Sequence, residues 1–136
     1  DNPYLKVYDD EVKKELWKCK SFIDTGVNVS FGTDGTASNM NPMVQIYRAI
    51  SRAANDGKPI GGYMPEEKIS REQAVKCYTI NGAISIGMER KLGSIEAGKY
   101  ADLVVMDKNL FTIPIEKIKD IKILTTIVNG EIVWKR

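Results

Sequence analysis

A change of texture near Gly93 constrains the fold of this chain more than any other feature. Upstream, apolar residues recur at helical intervals around one strand-like run; downstream, short β-branched runs alternate with turns. Over residues 10–24, Val12, Leu16, Cys19 and Ile23 recur at intervals of four and three, which aligns them on one helical face, with Lys13, Lys14, Lys18 and Lys20 around the rest. Gly26 predicts a left-handed helix end. Val27-Asn28-Val29-Ser30-Phe31, bounded by Gly26 and Gly32, predicts a strand. Asn41-Pro42 predicts an N-cap and first position of a helix reaching about Asn55, with Met43, Ile46, Tyr47 and Ile50 as its apolar face. A turn-rich stretch from Asp56 to Gly62 and a capping box at Ser70 and Gln73 follow, with helices predicted over 71–80 and 82–86. Beyond Gly93, strands are predicted over 101–106 and 121–128, a helical turn over 115–119, and a final strand from Glu131. Asn129-Gly130 suits the positive backbone angles of a two-residue hairpin. In that hairpin Ile121, Ile123 and Ile127 project to one face while Leu124, Val128 and Trp134 are apolar elsewhere, so the sheet needs cover on both sides.

The 136 residues suffice for one domain that buries roughly 68% of its unfolded surface. They do not suffice for a complete (β/α)8 barrel, which needs about 250. Twenty Lys and Arg against 18 Asp and Glu leave a net charge of +2, too small and too mixed for a phosphate-binding surface, so nucleic acid is not an expected partner. No apolar run approaches the length of a membrane span, and Asp1-Asn2-Pro3 lacks a signal-peptide pattern, so no membrane association and a cytoplasmic location are expected.

Histidine is absent, which removes the commonest metal ligand and the commonest general base near neutral pH. No Ser–His–Asp or Cys–His arrangement is available, and Cys19 and Cys77 read as buried free thiols. Asp34, in Gly32-Thr33-Asp34-Gly35, stands just past the end of the predicted strand, where the loops of α/β folds gather catalytic groups. A turn-forming aspartate that bonds its own backbone is the competing reading of the same residue. The loop lacks the spacing and lysine of a nucleotide-phosphate cradle. Met40, Met43 and Tyr47 either line a pocket over the strand end or form core, and Glu66-Glu67 reads as a solvated turn with favourable charge near a helix start.

Several runs resemble the C-terminal portion of the metal-dependent amidohydrolases, in the branch that includes N-substituted formamide deformylase. They are Thr79-Ile80-Asn81-Gly82-Ala83, then Gly93-Ser94-Ile95-Glu96-Ala97-Gly98-Lys99-Tyr100-Ala101-Asp102-Leu103-Val104-Val105-Met106-Asp107, and Thr126-Ile127-Val128-Asn129-Gly130-Glu131-Ile132-Val133. Gly32-Thr33-Asp34 is similar to the sequence that ends the eighth barrel strand of that family, and Asn41-Pro42 to the opening of the next helix. The resemblance implies an α/β fold in which residues 1–92 are the last strand and helices of a (β/α)8 TIM barrel and residues 93–136 the C-terminal strands of a small composite β-sandwich. It implies a divalent metal, zinc by expectation, that lowers the pKa of a bound water to about 7 for attack on a small-molecule amide-like substrate. Asp34 is the position matching the family's metal-proximal aspartate, a metal ligand and catalytic acid/base that takes the water's proton and passes it to the departing nitrogen. The loop from Gly35 to Asn41 would help shape the substrate pocket. The remaining ligands of such a site are histidines and a lysine or glutamate that this chain lacks at matching positions, so the fragment alone is expected to be inactive and to bind no metal tightly. Lys99 and the run from Gly93 to Asp107 are structural, with Asp102 and Asp107 bonding local amides. The alternative is a non-catalytic α+β module that binds a partner through its exposed sheet; uncovered strands predict self-association in either case.

Overall fold

Asn41 and Pro42 open the helix around which the rest of the chain packs. In the computed structural model, which describes residues 4–35 and 39–136, Asn41 Oδ1 accepts the Met43 N–H at 3.0 Å and Pro42 takes the first helical position. In chain order the helices are α1 (Tyr4–Val7), α2 (Asp10–Lys13), α3 (Cys19–Asp24), α4 (Pro42–Ser51), α5 (Arg71–Tyr78) and α6 (Ile80–Ser85), with 3-10 turns at Pro65–Glu67 and Ile115–Asp120. Strands β1 (Leu103–Met106), β2 (Ile123–Val128) and β3 (Glu131–Lys135) form a three-stranded antiparallel sheet in that order. Among the described residues, no helix is long and apolar enough to cross a membrane.

The expected apolar face of α4, Met43, Ile46, Tyr47 and Ile50, is buried throughout. Ile69 and Ala74 join it from the α5 side, and Leu110, Ile118 and Ile121 from beyond Gly93, so a single core draws on both halves of the chain. Each of the Met, Ile and Leu side chains stabilises by roughly 1.5–3 kcal/mol when fully buried, so the packing on α4 holds the two halves together. Arg71 adds a polar tie, its guanidinium donating to the Leu110 carbonyl at 2.5 Å and the Ile113 carbonyl at 2.7 Å.

Tertiary contacts override the helical pattern of residues 10–24. The expected single helix ends at Lys13 and restarts at Cys19, and in the turn between them Trp17 is left-handed, with φ 57°. The Trp17 ring meets Tyr63 edge-on at 6.3 Å, and its carbonyl accepts from Arg52 Nη1 at 2.9 Å. Arg52 also ends α4 four residues before the expected Asn55. It adopts φ 58° and donates through Nε to the Tyr63 carbonyl at 3.0 Å, so one guanidinium ties three segments together. The loop that follows folds back hard against this helix end. A Cβ on Gly62, at φ +86°, would lie 2.3 Å from the Ser51 carbonyl oxygen.

Glu67 is not in a solvated turn. It is 5% exposed, and its carboxylate accepts the Ser21 N–H at 2.9 Å, the Ser21 hydroxyl and the Lys20 amide, which caps the start of α3 from a distant part of the chain. Charge near a helix start is the right idea; the helix is α3, not the one that follows in sequence.

The capping box forms as expected, with Ser70 Oγ accepting the Gln73 N–H at 3.1 Å and Gln73 Oε1 accepting the Ser70 N–H at 2.8 Å. The break between α5 and α6 falls at Thr79, with φ −125° and ψ −97°, so α5 stops at Tyr78 and α6 runs over Ile80–Ser85 instead of 82–86. Gly26, at φ +84°, ends α3 as predicted.

The hairpin turn has Asn129 at φ 50° and Gly130 at φ 83°. β1 and β2 are each two residues shorter than expected at their starts, and Ile121, ahead of β2, is buried in the α4 core instead. Asp102 and Asp107 bond amides, but not local ones: they accept from Asn129 at 2.7 Å and Lys122 at 2.9 Å, across the sheet. The register sets Leu103, Ile127 and Ile132 on one face and Val104, Thr126 and Trp134 on the other. Ile132 is 61% exposed, Val104 53% and Trp134 45%, so apolar surface remains on both faces, as the sequence predicts.

Candidate functional site

The segment leading to Asp34 is held in a way that the strand prediction misses. Residues 27–31 join no β ladder among the described residues. They lie against the α5–α6 corner instead. The Phe31 N–H donates to the Cys77 carbonyl at 2.9 Å, and Asn81 Nδ2 donates to the Val29 carbonyl at 2.9 Å. Asn28 Nδ2 donates to the Asn81 carbonyl and to Ser85 Oγ, each at 3.0 Å, and Ser85 Oγ lies 3.2 Å from Ser30 Oγ. The Tyr78 hydroxyl donates to the Gly32 carbonyl at 3.4 Å, and its ring meets Phe31 edge-on at 5.6 Å. A strand exists only by lateral pairing, and here side chains and one helix-end carbonyl supply the bonds that a neighbouring strand supplies in a sheet.

Asp34 is exposed and left-handed, with φ 60°, followed by Gly35 at φ 53°. Aspartate tolerates this conformation better than most residues, and here it turns the chain sharply as it leaves the α5–α6 corner. Residues 36–38, in the loop expected to shape a pocket, lie outside the described residues. The loop is described again at Asn39, whose Oδ1 accepts the Asn41 N–H at 2.9 Å and whose carbonyl accepts from Gln45 Nε2 at 3.2 Å. Of the three residues that were pocket or core, Met43 and Tyr47 are core and Met40 is 65% exposed.

Two shallow clefts lie elsewhere. One of about 530 Å³ is bounded by Lys13, Lys14, Lys18, Tyr63 and Glu66, and one of about 340 Å³ by Ser51, Gly57, Pro59, Lys68 and Glu116; Asp34 lines neither. Cys77 is buried and Cys19 half-buried, both as free thiols, and burial pushes both pKa values up, so neither is a poised nucleophile. Lys99, matched to a structural position, has its ammonium on Ser94 Oγ at 2.5 Å and near Glu96 at 3.4 Å.

The donors among the described residues do not fit a metal centre. The sequence has no histidine, and among the described residues no group of three His, Cys, Asp or Glu side chains converges. One exposed carboxylate cannot hold a dication that needs three or more protein ligands.

Helices packed with an antiparallel sheet, an Asp-bearing loop held by two helices and a C-terminal hairpin make this an α/β segment. The chain belongs to the amidohydrolase family, whose model matches residues 2–134. It is 31% identical over 122 residues to N-substituted formamide deformylase from Arthrobacter pascens, a match covering 90% of this chain and 22% of that protein. It is 43% identical over 84 residues to 5-methylthioadenosine/S-adenosylhomocysteine deaminase from Teredinibacter turnerae, covering 62% of this chain and 18% of the deaminase. The crystal structure of an amidohydrolase from Thermotoga maritima superimposes with a TM-score of 0.64 at 22% identity, over 88% of this chain and 26% of that one. That last likeness shows the fold alone. The chain spans about a fifth of the length of the curated relatives it matches.

Proposed function

We propose that this chain is the C-terminal part of a longer hydrolase that cleaves C–N bonds in small amide-like or amine-bearing molecules, and that Asp34 is its acid–base group. The observation that carries this reading is Asp34 itself, an exposed carboxylate on a left-handed turn directly beyond the braced segment, in a chain of the amidohydrolase family. The names of the two relatives, a deformylase and a deaminase, are consistent with attack of water at a carbon bonded to nitrogen. In such a reaction Asp34 takes a proton from the attacking water and returns it to the leaving nitrogen, so that no charged amide anion has to depart. Residues 1–92 are then the end of a (β/α)8 barrel and residues 93–136 part of a composite β-sandwich. Asp34 adds one donor to a centre for a divalent metal, zinc in our reading, whose other ligands come from the rest of the longer polypeptide. On its own the chain is inactive.

The test is amine or ammonia release from an N-substituted formamide by the full-length protein, its Asp34→Asn variant and the isolated 136-residue chain. Asp34→Asn is expected to lower kcat by about 10²–10⁴-fold with unchanged circular dichroism, and the isolated chain to show no turnover. Wild-type rates from Asp34→Asn, or turnover by the isolated chain, would overturn the assignment. The alternative of a non-catalytic module is favoured by the exposed apolar residues on both sheet faces. It requires that no C–N hydrolysis accompany the chain in its full-length setting.

A further inference from the structure

We propose that the corner between α5 and α6 is the brace that aims Asp34, with Asn81 and Tyr78 as positioning residues; this rests on Asp34 being the acid–base group. Five successive residues, Asn28, Val29, Ser30, Phe31 and Gly32, each meet that corner, and Asp34 follows two residues later. The Val29 carbonyl and the Phe31 N–H flank Ser30, so in an extended chain they face the same edge. That edge is bonded by Asn81 Nδ2 and the Cys77 carbonyl, each at 2.9 Å. The Cys77 carbonyl is available because α5 stops at Tyr78 and leaves its last carbonyls without helical partners. The break at Thr79 then starts α6 at an angle that brings Asn81, in its first turn, against Val29.

Asparagine is a poor choice for helix propensity, and here its amide bonds outside its own helix. The link runs both ways, since Asn28 Nδ2 returns a bond to the Asn81 carbonyl at 3.0 Å. Tyr78 acts nearest the site. Its ring packs on Phe31, and its hydroxyl bonds the Gly32 carbonyl, the last backbone group of the braced run before Thr33 and Asp34. A carboxylate on a short turn inherits any displacement of this base, and misplacing a catalytic group by about 1 Å costs about 10²-fold in rate.

The experiment compares Asn81→Asp, which keeps the shape but replaces the donor with an acceptor, and Tyr78→Phe, which loses only the hydroxyl, with Asp34→Asn in the full-length protein. Amide hydrogen exchange over residues 28–34 is read alongside kcat and KM for an N-substituted formamide. Asn81→Asp is expected to exchange about tenfold faster over 28–34 with the rest of the protein unchanged, and to lose about 10- to 100-fold in kcat with KM held within about twofold. Tyr78→Phe should show a smaller loss of the same kind and carries the test if Asn81→Asp does not fold. Unchanged exchange over 28–34 overturns the brace whether or not the formamide is turned over, and faster exchange with unchanged kcat overturns the positioning role. Wild-type turnover by Asp34→Asn instead sinks the acid–base reading, and exchange in the Asn81 variant still reports on the brace by itself.

Discussion

Glu67 is a buried charge in the helical half. Burial pushes its carboxyl pKa up, but the Ser21 hydroxyl and amide, the Lys20 amide and the nearby Arg52 guanidinium together outweigh that and leave it below the ordinary value. A depressed folded pKa means that the unfolded chain binds more protons through this window. The stabilisation is therefore complete above about pH 4.3 and is lost as pH falls through the lower folded value. Glu67→Gln keeps an acceptor and removes the charge. It is expected to cost about 1–2 kcal/mol at pH 7 and to flatten the acid limb of a urea-denaturation stability profile. An acid limb as steep as that of the wild type would show that Glu67 is not the group being titrated. Two carboxylates in one chain thus have opposite settings: Glu67 is enclosed by donors, while Asp34 is exposed.

Among the elements, the α5–α6 pair is held from two directions, by the segment before Asp34 and by the chain returning at Gly93. Gly93 has φ +89°, and a Cβ there would lie 2.6 Å from Ile80 Cα and 2.9 Å from Ala83 Cβ. The contact is with backbone at the start of α6, so no side-chain rotation relieves it. Gly93→Ala is expected to destabilise by about 2–4 kcal/mol, measured as a shift of the urea midpoint, with faster amide exchange over α6. An alanine accommodated within about 0.5 kcal/mol would mean that the return path is looser than this approach requires. At α4, Asn41→Ala removes the bond to the Met43 N–H and is expected to cost about 1 kcal/mol by the same measurement.

For the whole molecule, the core around α4 is shared by both sides of Gly93, whereas the sheet carries apolar residues outward on both faces. On its own the chain is expected to self-associate, seen as a concentration-dependent rise in light-scattering mass. Ile132→Lys with Val133→Lys on the outer strand β3 should suppress it, because lysines at an exposed edge oppose strand pairing. A wild-type chain that stays monomeric at high concentration would count against this expectation.

Local chemistry was legible in the sequence wherever it acts over a few residues. The Asn41-Pro42 start, the Ser70–Gln73 box, the Gly26 helix end, the Asn129-Gly130 turn and the apolar face of α4 all follow from backbone geometry and periodicity. Asp34 stood out for the same local reason, as an acidic residue between glycines after a β-prone run. What only the tertiary structure decided depends on partners far away in the chain. A well-patterned helix is interrupted between Lys13 and Cys19, where Arg52 and Tyr63 meet Trp17, and Glu67 is buried where it caps α3. Among the described residues, 27–31 form no ladder, since a strand is defined by its neighbour and the bonds here come from Asn81 and Cys77. Periodicity and capping record what a residue does with its nearest neighbours; hydrogen bonds spanning 35 to 52 residues leave no such trace in the order of the amino acids.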